Sequence, residues 1–203
     1  MRQNTDFLLV DLGQVERLRQ LAIDIYSQHY TDLWDDGGRS YIADAFSMRR
    51  LEDELKNSAI RYYYVAQGDD LVGFIKIVLP ADEHMEAGLY LERLYLDART
   101  TGQGLGKQCL AFAESEARRT GFGRIWLQAM VYRDDVCRFY RKHGFTECGH
   151  RSLTASGVVS GREAMVVFEK MLPERSRSVL KQRAETKATT PNNAPVAPDR
   201  KAR

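Results

Sequence analysis

Cysteine is scarce in this chain of 203 residues. The three present, Cys109, Cys137 and Cys148, are odd in number and form no C-x-x-C pair, which argues against both a disulfide framework and a zinc site. The four histidines (His29, His84, His143, His150) lack ligand spacing, so no metal is expected. Long apolar runs are missing too. The longest, Leu71 to Pro80, is broken by Gly73 and Lys76 and falls far short of the roughly 20 residues a spanning helix needs. Only Phe7 to Val10 precedes Asp11, which is no signal-peptide core, so the expectation is a cytoplasmic protein without a membrane contact. Nor is there much net charge, with 30 Lys and Arg against 28 Asp and Glu.

That near-neutral balance divides unevenly. Residues 174–203 hold eight basic and three acidic side chains, a net +5, which leaves −3 on residues 1–173. Three of the five prolines (Pro191, Pro195, Pro198) also lie beyond Pro173, and almost no large apolar residue follows Leu180. A segment of this kind cannot bury enough surface to offset its ordering entropy. Residues 174–203 are therefore expected to be a disordered basic tail, with at most a short helix near 175–184, and 1–173 to be one folded domain. A net-acidic fold does not suit nucleic acid as a partner, which is expected, if at all, only through the tail.

Within 1–173 the apolar periods alternate between strand and helix, in the order β-α-α-β-β-β-α-β-α-β-β. Val15, Leu18, Leu21, Ala22, Ile25 and Tyr26 recur at helical spacing, and Tyr41 to Leu55 reads as a second helical stretch. Ile60–Ala66 and Leu71–Leu79 read as a hairpin, Leu89–Leu96 and Ile125–Val131 as further strands, and Phe145–Leu153 with Ala164–Met171 as a closing pair. The expected class is α/β (α+β), with helices on a mostly antiparallel sheet.

The most informative string is Leu94-Tyr95-Leu96-Asp97-Ala98-Arg99-Thr100-Thr101-Gly102-Gln103-Gly104-Leu105-Gly106-Lys107, where a strand enters a glycine loop and a helix begins. Glycines let backbone N–H groups close on a phosphate, and the helix dipole favours the anion. The spacing fits neither alternative nucleotide motif, since Lys107 occupies the third dinucleotide glycine position and Gln108 the Ser/Thr position of a P-loop. Spacing alone equally describes an ordinary helix N-terminus with flexible glycines.

The loop resembles the acetyl-CoA pyrophosphate loop of the GNAT superfamily of N-acetyltransferases, Arg/Gln-x-x-Gly-x-Gly/Ala after the fourth strand. Two later strings are similar in order: Trp126-Leu127, and Val136-Cys137-Arg138-Phe139-Tyr140-Arg141-Lys142-His143-Gly144-Phe145, which resembles A-x-x-F-Y-x-K-x-G-F. Toward the N-terminus, Tyr41-Ile42, Ala45-Phe46, Leu51, Glu54-Leu55, Tyr62–Val65 and Val72–Lys76 resemble bacterial diamine/polyamine (spermidine-type) members. The similarity covers about residues 5–172. It implies a sheet of about seven strands, splayed between the fourth and fifth and flanked by about four helices, with acetyl-CoA as co-substrate. It also implies a binding set of Leu94, Tyr95, Leu96, Thr101, Gly102, Gln103, Gly104, Leu105, Gly106 and Lys107. Thr101 departs from the Arg/Gln position, with Arg99 or Lys107 as replacements, and Arg133 stands where the superfamily usually has Asn and could reach a CoA phosphate.

Direct transfer from thioester to amine requires a proton acceptor, an oxyanion donor and an acid for the departing thiolate. Simple alternation places Tyr90, Glu92, Leu94 and Leu96 on one face, which makes Glu92 the expected base, working through a water. The plainer reading pairs it with Arg93 or Arg124. Family position implies Tyr140 as acid and the Leu94 N–H as oxyanion donor; the plainer reading makes Tyr140 a core ring. Cys109 and Cys137 read as packing.

Acceptor choice is expected from Tyr30, Trp34, Asp35 and Tyr41, with Tyr26, Asp32, Asp36, Asp44 and Phe46 around them and Asp82, Glu83 and Glu86 in the next loop. Carboxylates among aromatic faces suit a small cationic amine, although these acids are also what a solvated helix face carries. Three readings stand: a polyamine or diamine acetyltransferase, a protein or peptide N-acetyltransferase, and a non-catalytic acyl-CoA- or nucleic-acid-binding module. A monomer or homodimer fits all three.

Overall fold

The structure is a computed structural model of the chain and describes residues 4–80 and 88–173. The acids at 82, 83 and 86 and the tail at 174–203 lie outside the described residues.

Seven strands form one mixed sheet: β1 (Thr5–Leu9), β2 (Ile60–Gln67), β3 (Asp70–Val78), β4 (Leu89–Leu96), β5 (Arg124–Met130), β6 (Thr146–Ser152) and β7 (Ala164–Met171), in the order β1-β2-β3-β4-β5-β7-β6. Neighbours are antiparallel except β4 and β5. The helices are α1 (Val15–Tyr26), α2 (Arg39–Ala45), α3 (Met48–Lys56), α4 (Leu105–Arg119) and α5 (Asp134–Lys142). The stretch read as one helix is therefore two. Ser47 sits extended between them and its hydroxyl accepts from Arg50 N at 3.3 Å, so the chain restarts a helix there with a new N-cap.

Both sheet faces are covered. Leu105, Cys109, Ala113 and Ala117 of α4, with Cys137 and Tyr140 of α5, pack on one side against Val65, Ile75, Ile77, Leu89 and Leu91. Leu18 and Ala22 of α1, with Phe46 and Leu51, pack on the other against Tyr62, Tyr64 and Phe74. A strand covered on both faces needs apolar residues at successive positions, which is why Tyr62 to Val65 is a continuous run.

Two features of β4 position the site. Its parallel pairing with β5 covers only Leu89–Ile125 and Tyr90–Trp126, so from Leu91 onward β4 has a strand neighbour on one edge alone and the sheet splays. The register with β3 also jumps, from Lys76–Arg93 to Ile77–Leu91, leaving Glu92 as an extra residue in a β-bulge.

Candidate active site

The bulge corrects the simple alternation. Leu94 and Leu96 pack on the α4–α5 side with Leu89 and Leu91, whereas Tyr95 and the buried Arg93 face α1–α3, the Arg93 guanidinium 4.9 Å from the Phe46 ring centre. The inserted residue reverses which parity points to which face, so Glu92 does not share a face with Leu94 and Leu96. Its Oε1 lies 2.8 Å from Lys76 Nζ and 3.7 Å from Arg93 Nε on the α1–α3 side.

A cleft of about 1020 Å³ opens where β4 leaves β5. Its walls are Leu94 to Leu96, the glycine loop, the N-terminus of α4, and Val136, Phe139, Lys142 and His143 of α5. Thr101, Gly102, Gly104, Leu105, Gly106, Lys107 and Arg133 of the expected donor-binding set line it, together with Tyr30 of the expected acceptor set. Gln103 does not, because its amide turns back to donate to the Arg99 carbonyl at 3.0 Å.

The loop before α4 is built by Asp97. Its carboxylate accepts from the Arg99 N–H at 2.9 Å and from the Arg99 guanidinium at 3.0 and 2.7 Å, and its carbonyl accepts from Thr100 N–H and hydroxyl. These bonds to Arg99 hold the Asp97 carboxyl below its usual range. Arg99 is thereby committed to the loop and absent from the cleft wall, which leaves Lys107 as the cation beside the glycines. Gly104 caps α4 with φ +79°, a conformation that side chains disfavour, and no side chain caps the helix. Among the described residues, the N–H groups of Gly104, Leu105, Gly106 and Lys107 have no acceptor. Gly106 serves a different purpose: a Cβ there would lie 2.9 Å from Phe139 Cζ, so its absence lets α4 and α5 close on one another.

Arg133 reaches the cleft but is engaged. Its Nη1 donates to the His29 carbonyl at 3.0 Å, and Nε and Nη2 to Asp135 at 3.1 and 3.0 Å. It braces the segment after α1 against the start of α5. His29, missed in the sequence, is a wall residue whose Nε2 lies 2.8 Å from the Leu96 carbonyl on the open stretch of β4. Phe139, Lys142, His143 and Asp97 were also missed as wall residues. The spacing of Phe139, Lys142 and His143 (i, i+3, i+4) marks one helical face and could have been read as such.

Tyr140 is 8% exposed, and burial raises its phenol well above 10, with the neighbouring Tyr30 acting in the same direction. Its hydroxyl has no hydrogen-bond partner among the described residues, yet is not sealed from solvent. Cys109 is fully buried and pushed up to about 12, and burial also raises Cys137, as packing thiols would be.

The expected acceptor residues separate. Tyr30 lines the cleft, half-buried between Tyr26 and Tyr95, with Arg133 over its ring. Trp34 is 5% exposed, donates Nε1–H to the Tyr26 hydroxyl at 2.8 Å and stacks on Tyr41 at 4.7 Å. Tyr41 lies half-buried between Trp34 and Tyr26. Asp35 is exposed and belongs to a strap in which its N–H donates to the Gly157 carbonyl at 2.8 Å. Among the described residues, no three His, Cys, Asp or Glu side chains could share a metal ion, and no helix is long and apolar enough to cross a membrane.

The strand splay thus holds a glycine-capped helix N-terminus at one end of the cleft. The profile described as "Acetyltransferase (GNAT) family" matches residues 17–145, more than half of the chain, and the chain belongs to that family. A relative named as an uncharacterized N-acetyltransferase in the pepI 3′ region of Lactobacillus delbrueckii subsp. lactis is 27% identical over 100 residues. That match spans 48% of this chain and 58% of the relative's length. Among solved structures, the PaiA N-acetyltransferase of Thermoplasma acidophilum in complex with coenzyme A superposes with a TM-score of 0.65 at 21% identity, covering 83% of this chain and 99% of its own. A point mutant of the spermidine N-acetyltransferase SpeG from Vibrio cholerae gives 0.60 at 12% identity, covering 88% and 98%. At these identities the two structures bear on the fold alone.

Proposed function

We propose that the protein transfers the acetyl group of acetyl-CoA directly to a primary amine, and that the amine is a small di- or polyamine. The observation that carries the first part is the cleft. It offers four unaccepted N–H groups and Lys107 at one end, as a pyrophosphate requires, and an unpaired β4 edge from Leu91 at the other, as an amide-bearing arm requires. This set of groups fits the acyl donor.

The chain's own residues then divide the work across the splay. The peptide groups of Leu94 and Leu96 align the donor's arm along β4, and the Leu94 N–H stabilises charge on the reacting carbonyl oxygen. Tyr140, a neutral phenol throughout the working pH range, donates its proton to the leaving thiolate from within the α4–α5 layer. Glu92 stands on the opposite face, at the bulge, and takes the ammonium proton through a water. For a cationic acceptor, Tyr30 and Tyr41 supply aromatic faces, Trp34 fixes the Tyr41 stack from behind, and Asp35, next to Trp34 in sequence, is an exposed carboxylate.

Turnover of acetyl-CoA against spermidine, putrescine and a peptide with a free N-terminus tests this. The expected result is amine-dependent release of free thiol with the two small amines. Modification of the peptide alone would transfer the reading to a peptide N-acetyltransferase.

A further inference from the structure

Lys76 is 2% exposed, on the interior strand β3. A lone buried ammonium is strongly disfavoured, and this one is flanked by two carboxylates: Glu92 Oε1 at 2.8 Å and Glu54 Oε1 at 2.9 Å. The contacts continue into a ring. Tyr62 donates its hydroxyl to Glu54 Oε2 at 2.5 Å and accepts from Arg93 Nη1 at 3.1 Å, and Arg93 Nε lies 3.7 Å from Glu92 Oε1. Two cations and two carboxylates leave the ring neutral. Such a network is weak evidence for stability, because apolar residues of equal volume often serve as well or better. Its shape points elsewhere. The Glu92 side chain is 25% exposed against 12% for Glu54 and 3% for Lys76, so the ring opens to solvent mainly at Glu92. Both cations sit on Glu92 Oε1, and among the described residues Oε2 has no partner.

We propose that Lys76 is a positioning residue for Glu92, and that Glu54, by competing for the same ammonium, sets how much of that charge Glu92 feels. The proposal rests on the reading of Glu92 as the proton acceptor. Lys76 pins Oε1 on the α1–α3 side, the bulge turns the carboxylate outward, and Oε2 is left to meet the acceptor's water. The groups facing Glu92 are Lys76 from β3, Glu54 from α3, Tyr62 from β2, and Tyr90 and Arg93 from β4, with the Tyr41 phenol coupled to Tyr90 and Arg93. Among these Lys76 and Glu54 lie outside β4, so each can be substituted while the sequence of the strand that carries Glu92 is kept.

The test titrates the Glu92 carboxyl by 13C NMR, its resonance assigned by loss in Glu92→Gln, and needs no acceptor. Lys76→Met should raise the midpoint, because an opposite charge in contact with Oε1 is removed. Glu54→Gln should lower it, because a like charge is removed and Lys76 is left to Glu92 alone. Lys76→Arg should restore most of the parent value. If Lys76→Met does not fold, the downward shift in Glu54→Gln decides alone. Midpoints that stay put, or that move the same way in both variants, would overturn the proposal. Kinetics separates the two ideas. If the NMR midpoints move as stated but Glu92→Gln turns over like the parent, the base reading fails. If Glu92→Gln abolishes the acid limb of kcat/KM while the midpoints do not move, the base stands and the positioning idea falls.

Discussion

Gly106→Ala should separate folding from donor binding. The residue is helical, so alanine gains roughly 1 kcal/mol of intrinsic propensity over glycine. Against this, the new Cβ would lie 2.9 Å from Phe139 Cζ and 3.2 Å from Cε2, whereas ordinary contacts begin near 3.4 Å. The ring must retreat, or the first turn of α4 lift, by about 0.5 Å, enough to forfeit roughly a quarter of each packing contact involved. Phe139 lines the cleft and its ring tip can move into that space, so the net stability change should stay within about 1 kcal/mol. The donor meets both consequences, a ring moved into its cleft and N–H groups displaced from its phosphates. Losing one charge-assisted hydrogen bond, about 1.5 kcal/mol or more, weakens binding about tenfold. Isothermal titration with acetyl-CoA, beside a thermal melt, reads both. Gly104→Ala is the converse control. Its Cβ meets nothing within 4 Å, but φ of +79° costs a non-glycine residue roughly 1–2 kcal/mol, about 2–8 °C in Tm. Gly106→Ala binding acetyl-CoA as tightly as the parent would refute the reasoning.

Further outcomes follow from the same geometry. Tyr140→Phe should lower kcat about a hundredfold, the usual scale of a general acid, while Tm hardly changes because the hydroxyl has no hydrogen bond to lose; a parallel fall in Tm would mark a packing role instead. Stability toward acid should depend on Glu54, Asp97 and Glu116. Burial pushes Glu54 up, but Tyr62 and Lys76 outweigh it; Arg99 holds Asp97 down and Arg119 holds Glu116 down. Each titrates lower in the folded than in the unfolded chain. Their stabilisation is therefore fully present above the unfolded carboxylate range near 4 and lost as pH falls through the folded values. The urea midpoint from these groups should hold between pH 7 and 5 and drop below about pH 4; a loss already complete at pH 5 would contradict the assignment.

Much of this was legible because it is local. The glycine loop, the α5 string ending at Gly144 and the β2–β3 hairpin are written in residues adjacent in sequence, and each stands where its pattern places it. The face of Glu92 was not legible, since a period-2 reading assumes an uninterrupted ladder and the bulge is created by pairing with β3. Lys76 stood out as a single cation in Val72–Val78, but the carboxylate from α3 that shares it is 22 residues away in sequence. Trp34 reads as an acceptor contact from its type and neighbours, whereas the hydrogen bond that turns it inward is donated by its own Nε1–H to the Tyr26 hydroxyl on α1. Arg133 has two of its partners at Asp135, but the third is the His29 carbonyl, which only the tertiary fold brings near.

The proposed direct transfer of an acetyl group to an amine across the splay places the donor on the α4–α5 side and Glu92 opposite. Mixing the protein with acetyl-CoA and spermidine and following free thiol together with N-acetylated amine by mass spectrometry tests it most directly. Equal amounts of both products are expected, formed only when donor and amine are present together and strongly reduced in Glu92→Gln. Thiol release that is independent of any amine, or no acetylated amine at all, would contradict it.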